Sequence, residues 1–128
     1  MKSYAKIISG SMLVLLSCGL AEARCTKERL WFFVDRDDTY KSRWEITGKK
    51  RVCGHSYRAG GRTTFHGLKV LVHPKHGALE PRGAYSTITF RYRAKPDFVG
   101  DDFFVTQICG ETLGRKGCAR LEYTVTVK

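Results

Sequence analysis

An all-β sandwich held by two disulfides is the fold this sequence predicts, and three observations predict it. Short runs alternate apolar and polar residues with period two, above all over Thr87–Arg93 and Arg120–Lys128. Such alternation buries one side of a pleated strand and wets the other. Clusters of Gly, Pro and Asp separate the runs, and no stretch carries a persuasive three-turn amphipathic helix. Four cysteines follow an N-terminal segment with the features of an export signal. Six to eight short strands of this kind bury their apolar sides best as two facing sheets, with a partly open barrel as the alternative.

The export signal comes first. Lys2 and Lys6 flank the start of a mostly apolar stretch, Ile7–Leu20, and Ala21-Glu22-Ala23 supplies a small-x-small cleavage site. The stretch is too short to span a bilayer as a helix. The expectation is a cleaved signal over residues 1–23, one domain over residues 24–128, and no transmembrane segment in the mature chain. Leu15-Leu16-Ser17-Cys18 resembles a bacterial lipobox, so lipidation of Cys18 competes with simple cleavage. The domain would be periplasmic or secreted in one case and lipid-anchored in the envelope in the other.

Cys25, Cys53, Cys109 and Cys118 remain after the signal. An even number in an oxidising compartment implies two disulfides, with three connectivities open. Cys109 and Cys118 flank a turn-rich segment between two strand patterns, which favours Cys109–Cys118 as a hairpin staple and leaves Cys25–Cys53. Structural zinc is disfavoured because no Cys-x-x-Cys pair is present.

Along the domain, Leu30–Val34 is an apolar run compatible with a buried strand, and Asp35-Arg36-Asp37-Asp38 interrupts it as a loop. Arg43–Ile46 and Arg51–Arg58 are expected strands around a Gly48-Lys49-Lys50 turn, with a short helix over Thr39–Ile46 as the competing assignment. Gly60-Gly61 suits a hairpin turn. Leu68, Val70 and Val72 mark a strand that Pro74 ends. Ile88, Phe90 and Tyr92 face the core in the next strand, and Phe104 and Ile108 share a side of the one after. Leu121, Tyr123, Val125 and Val127 complete the core from the last strand.

Pro74-Lys75-His76-Gly77, then Tyr92-Arg93-Ala94-Lys95, then Pro96-Asp97-Phe98-Val99-Gly100-Asp101-Asp102-Phe103-Phe104 follow one another in the second half. This succession resembles the bacterial immunoglobulin-like and cadherin-like repeats of large surface proteins, over residues 68–128. The resemblance implies an immunoglobulin-like β-sandwich with a structural or adhesive role. The turn residues also have a direct physical reading. Pro74 fixes φ, Gly77 is suited to positive φ, and His76 sits in a capping position. Phe98 is expected to fold toward the core, Gly100 to let the backbone turn closely, Asp102 to accept backbone N–H bonds, and Phe104 to anchor the next strand.

The chain carries 23 Lys and Arg against 12 Asp and Glu, a net charge of +11. Such a charge attracts polyanions. Arg91 and Arg93 share one strand side, with Lys95 just beyond; Arg115 and Lys116 sit in the proposed hairpin tip, and Arg120 starts the returning strand on its wet side. If the two strands were neighbours, these six would form one cationic patch for an anionic polysaccharide, lipopolysaccharide or envelope protein. Lys49, Lys50 and Arg51 suggest a second cluster. Export argues against a dedicated nucleic-acid partner. No cofactor is expected; calcium is the secondary reading, should the Asp35-Arg36-Asp37-Asp38 loop approach Asp97, Asp101 and Asp102. The histidines carry no metal-ligand spacing, and nucleophile elbows and phosphate loops are absent from the sequence. The expectation is therefore a non-catalytic interaction or structural domain. An envelope-anchored lipoprotein and a small polysaccharide-active enzyme are the alternatives.

Overall fold

The computed structural model describes residues 24–49 and 51–128. The signal expected over residues 1–23, Cys18 within it, and Lys50 lie outside the described residues. Eight strands are present there: β1 (Arg24–Lys27), β2 (Thr39–Thr47), β3 (Val52–Arg58), β4 (Thr63–Val72), β5 (Gly77–Ala84), β6 (Thr87–Ala94), β7 (Gly100–Thr112) and β8 (Arg115–Val127). They form two sheets, ordered β1-β2-β8-β7-β4 and β3-β6-β5. All neighbours are antiparallel except β2 and β8, which run parallel. The small sheet and the β8-β7-β4 part of the large one reproduce the two halves of an immunoglobulin-like sandwich. The domain is all-β as expected.

Alternation explains the core. Ile88, Phe90 and Tyr92 of β6 are fully buried, as are Leu121, Tyr123 and Val125 of β8 and Phe104 and Ile108 of β7. Trp44 of β2 reaches across between the sheets and stacks on Phe90, with ring centroids 5.5 Å apart and planes at 13°. Tyr57 and Tyr123 share a buried hydroxyl–hydroxyl hydrogen bond of 2.9 Å. Burial raises the Tyr57 pKa to about 12, against a smaller lowering by that bond. Burial pushes Tyr123 higher still. Both phenols therefore stay neutral, and the pair costs no buried charge.

Both disulfides take the favoured connectivity. Cys109 and Cys118 sit opposite each other in the β7–β8 register and staple that hairpin. Cys25–Cys53 joins β1 to β3, and so ties the large sheet to the small one. Two such bridges are consistent with a non-cytoplasmic location. Among the described residues no helix is long and apolar enough to cross a membrane.

Several expected elements differ. Leu30–Val34 joins no sheet; it leads into a single 3-10 turn over Val34–Arg36. Its alternation is nonetheless physical, because Leu30, Phe32 and Val34 pack inward while Trp31 and Phe33 face out. Thr39–Ile46 is strand, not helix, since its pairing with β8 outweighs weak helical spacing. Gly60-Gly61 makes no hairpin: it carries the chain from β3 in the small sheet to β4 in the large one. The Gly48 turn likewise switches sheets. β1 is an additional strand, and β5, which follows the Pro74–Gly77 turn, pairs along its whole length with β6.

Candidate functional site

The turn residues converge on one carboxylate. Asp102, 4% exposed, opens β7 beneath the β4–β5 connection. Its Oδ1 accepts from the backbone N–H of Lys75 and of Phe103, both at 2.9 Å. Its Oδ2 accepts from the His76 N–H at 3.0 Å and the Tyr92 hydroxyl at 2.8 Å. Burial first, and then Asp102, drive the Tyr92 pKa upward, so the phenol remains the donor. The His76 ring stacks on Phe98, with centroids 4.3 Å apart and planes at 6°. Gly100 has φ of 139°, and Phe104 anchors in the core. Gly77 is required for a different reason from the one expected. It lies outside the positive-φ glycines; a Cβ there would stand 2.5 Å from Arg93 O and 2.6 Å from the Tyr92 ring. This constellation locks the crossing between sheets, and its carboxylate is engaged by four donors of the chain itself.

The six-residue cationic patch does not form. Arg91 and Arg93 lie on β6 in the small sheet, whereas Arg115, Lys116 and Arg120 lie on β8 in the large sheet. Outward faces of two packed sheets point apart. Arg115 is also paired with the buried Asp35 at 2.8 Å, and Arg120 with Glu122 at 3.0 Å. Lys116 stands opposite Glu111 in the register. Lys95 follows β6, and its backbone N–H holds His76 O at 2.8 Å.

A different cluster takes its place. On the outer side of the small sheet, the register sets Ser56, Thr89 and Arg82 in one row and Gly54, Arg91 and Glu80 in the next. Arg93 and Arg58 occupy the outer rows. Among the described residues, four guanidinium groups (Arg58, Arg82, Arg91 and Arg93) thus share one exposed sheet face with a single carboxylate, Glu80. Neighbouring positions on such a face lie roughly 5–8 Å apart, close enough for one polymer to engage several. Arg58 and Arg82 were invisible to sequence reasoning because nothing local tells which sheet β3 and β5 join.

The two aspartate loops do not meet. Asp37 Oδ1 accepts from the Cys118 N–H at 2.8 Å, near the start of β8. Asp101 Oδ1 accepts from Thr126 Oγ1 at 2.8 Å, near its end. These points are eight strand positions apart, on the order of 27 Å. Among the described residues, no group of three or more His, Cys, Asp or Glu side chains could hold a metal ion.

An open cleft of about 600 Å³ lies where residues 29–34 pass the end of β3. Phe32 forms part of its wall, edge-on to Tyr57 at 4.9 Å and stacked with Phe65 at 6.0 Å. Trp31 and Phe33 flank it at 78% and 50% exposure. Arg29 and Arg58 also line it. His55 sits alongside, 4.4 Å from the Tyr57 ring; burial, and then the Lys27 charge, lower its pKa and favour the neutral imidazole. Two outward aromatics alternating with three inward apolar residues were the available sequence signal for this cleft.

No family model matches the chain, and no curated protein matches it. Among solved structures it is similar to the ASH/PapD-like domain 7 of human CEP192, with 12% identity, a TM-score of 0.43, and coverage of 96% of this chain and 98% of that one. It is also similar to an endo-fucoidan hydrolase of glycoside hydrolase family 107, at 11% identity and a TM-score of 0.36. That alignment covers 67% of this chain but 13% of the enzyme's. Likeness at these levels says nothing of what this chain binds.

Proposed function

We propose that this is an exported, non-catalytic interaction domain that docks an anionic envelope or extracellular polymer on the outer face of β3-β6-β5. The supporting observation is the cluster of Arg58, Arg82, Arg91 and Arg93 on one solvent-facing sheet side, with Glu80 as the one acid there among the described residues. Flat arginine arrays bind repeating carboxylates, sulfates or phosphates by charge-assisted forks. The resemblance of residues 68–128 to cadherin-like surface repeats agrees with an adhesive or structural role. Cleavage after Ala23 delivers the domain to the periplasm or beyond, with Cys18 lipidation as the competing route. Intact mass of protein from its native host separates them: an Arg24 start excludes the lipid.

The test compares polygalacturonate, lipopolysaccharide and duplex DNA over a salt series, using wild type, R82E/R91E/R93E, and K116E/R120E. Loss of polysaccharide or lipopolysaccharide binding by at least about tenfold in the first variant only supports the face as the site. Equal binding of all three polymers, reduced alike by both variants, would reduce the effect to bulk charge and overturn the proposal.

A further inference from the structure

The cleft and the free edge of β3 coincide. Ala94 N–H donates to Arg51 O and Ala59 N–H donates to Ser86 O, on either side of the β3–β6 ladder. Odd-numbered residues of β3 therefore turn their backbone groups toward β6. The N–H and C=O groups of Val52, Gly54, Ser56 and Arg58 turn away from the sheet. Lys27 Nζ takes Gly54 O, and the Cys25–Cys53 bridge guards that end. Ser56 and Arg58 remain, and both line the cleft. Among the described residues, no strand pairs with β3 on this side.

The geometry points to a strand-addition site, in which β3 takes up an extended acidic segment of a partner polypeptide. A strand laid here alternates its side chains between two environments. Those on one side enter the cleft against Phe32, Tyr57 and Trp31. Those on the other align with the outer face, beside Arg58. Gly54 stands between that edge and Arg91 and has no side chain to block the approach. The matching segment therefore alternates apolar residues with carboxylates. A polysaccharide lacks the regularly spaced N–H and C=O groups that this edge demands. A second copy of this chain would bring its own Arg58 and a strongly basic surface against the same face, and like charges on paired strands oppose each other. This site shares Arg58 with the polyanion face and differs from it in its use of the Ser56 backbone and the cleft.

The probe is a capped octapeptide of alternating Glu and Val, compared with its block isomer of four Glu then four Val. Trp31 fluorescence reports binding, and amide exchange reports the ladder. The alternating peptide binds saturably, slows exchange at Ser56 and Arg58, and outcompetes the block isomer by roughly tenfold or more. Ser56→Pro removes an N–H that faces the cleft and serves no β6 bond, a position where edge strands accept proline. It weakens peptide binding by roughly tenfold while polygalacturonate binding and cooperative unfolding persist. Equal affinity for the two isomers would show charge attraction alone and overturn the site. So would unprotected Ser56 and Arg58 amides, unchanged peptide binding in S56P, or concentration-dependent dimerisation that S56P abolishes. If S56P fails to unfold cooperatively, the wild-type exchange pattern decides.

Discussion

Replacing Asp102 by Asn keeps the side chain's shape and removes its charge. The carboxylate accepts four hydrogen bonds, three from backbone N–H groups and one from the Tyr92 hydroxyl. Asn retains one carbonyl, which still serves Lys75 and Phe103, but those bonds weaken from charge-assisted to neutral. The new NH2 faces the His76 N–H, donor against donor, while the Tyr92 hydroxyl rotates to accept. A charge-assisted bond contributes about 1.5–3 kcal/mol and a neutral one about 1, so the net loss is at least about 3 kcal/mol. For a domain of this size that lowers Tm by about 15 °C. Urea unfolding at neutral pH reads the loss directly, with an unchanged m-value. A cycle with Y92F returns a coupling of about 1 kcal/mol between the two side chains. A D102N loss under about 1 kcal/mol, or zero coupling, would refute the view that this carboxylate holds the sheet crossing.

The disulfides differ in loop length, 28 residues against 9. By chain entropy, C25A/C53A costs about 3.6 kcal/mol and C109A/C118A about 2.6; the reverse order in urea midpoints would contradict that account. Gly77→Ala drives its methyl into Arg93 O and the Tyr92 ring and lowers stability by about 2–3 kcal/mol. Gly61→Ala, with open space around the new methyl, changes it by under about 0.5 kcal/mol, and thermal melts of the two variants check the contrast. His55 has a lowered pKa in the fold, from burial and then Lys27, so the unfolded chain binds the proton more readily. Its contribution to stability is present above the unfolded value of about 6.5 and is lost as pH falls toward the folded pKa. H55Q flattens that part of the stability profile; an unaltered profile would place the acid sensitivity elsewhere.

The long central strands were legible in sequence because two-sided sandwiches impose strict alternation on them. Ile88-Phe90-Tyr92 and Leu121-Tyr123-Val125-Val127 are buried in that order, and the Cys109–Cys118 staple follows from its flanking strands. β5 escaped because Gly77–Ala84 holds one sizeable inward apolar side chain, Leu79, and is defined by its partner β6 instead of its own pattern. Leu30–Val34 misled for the converse reason: alternation requires an extended chain between two environments, not a ladder. The Gly60-Gly61 turn is local, but which sheet follows it is not. The arginine face inherits the same blindness. Arg91 and Arg93 were placed together by spacing, while Arg58, Arg82 and the separation from Arg120 depend on strand order, which only long-range packing decides.

Pairing of β2 with β8 has a consequence for how the chain reaches its native state. Trp44 and Val125 are partners in register although about eighty residues lie between them, so a long loop must close before that contact forms. Such topology folds on the millisecond-to-second scale. β8 also lies between β2 and β7, so the large sheet stays open until its last strand arrives. A nascent chain therefore exposes the apolar side of β2 until β8 is available, which makes assembly of this domain sensitive to any delay in delivering β8.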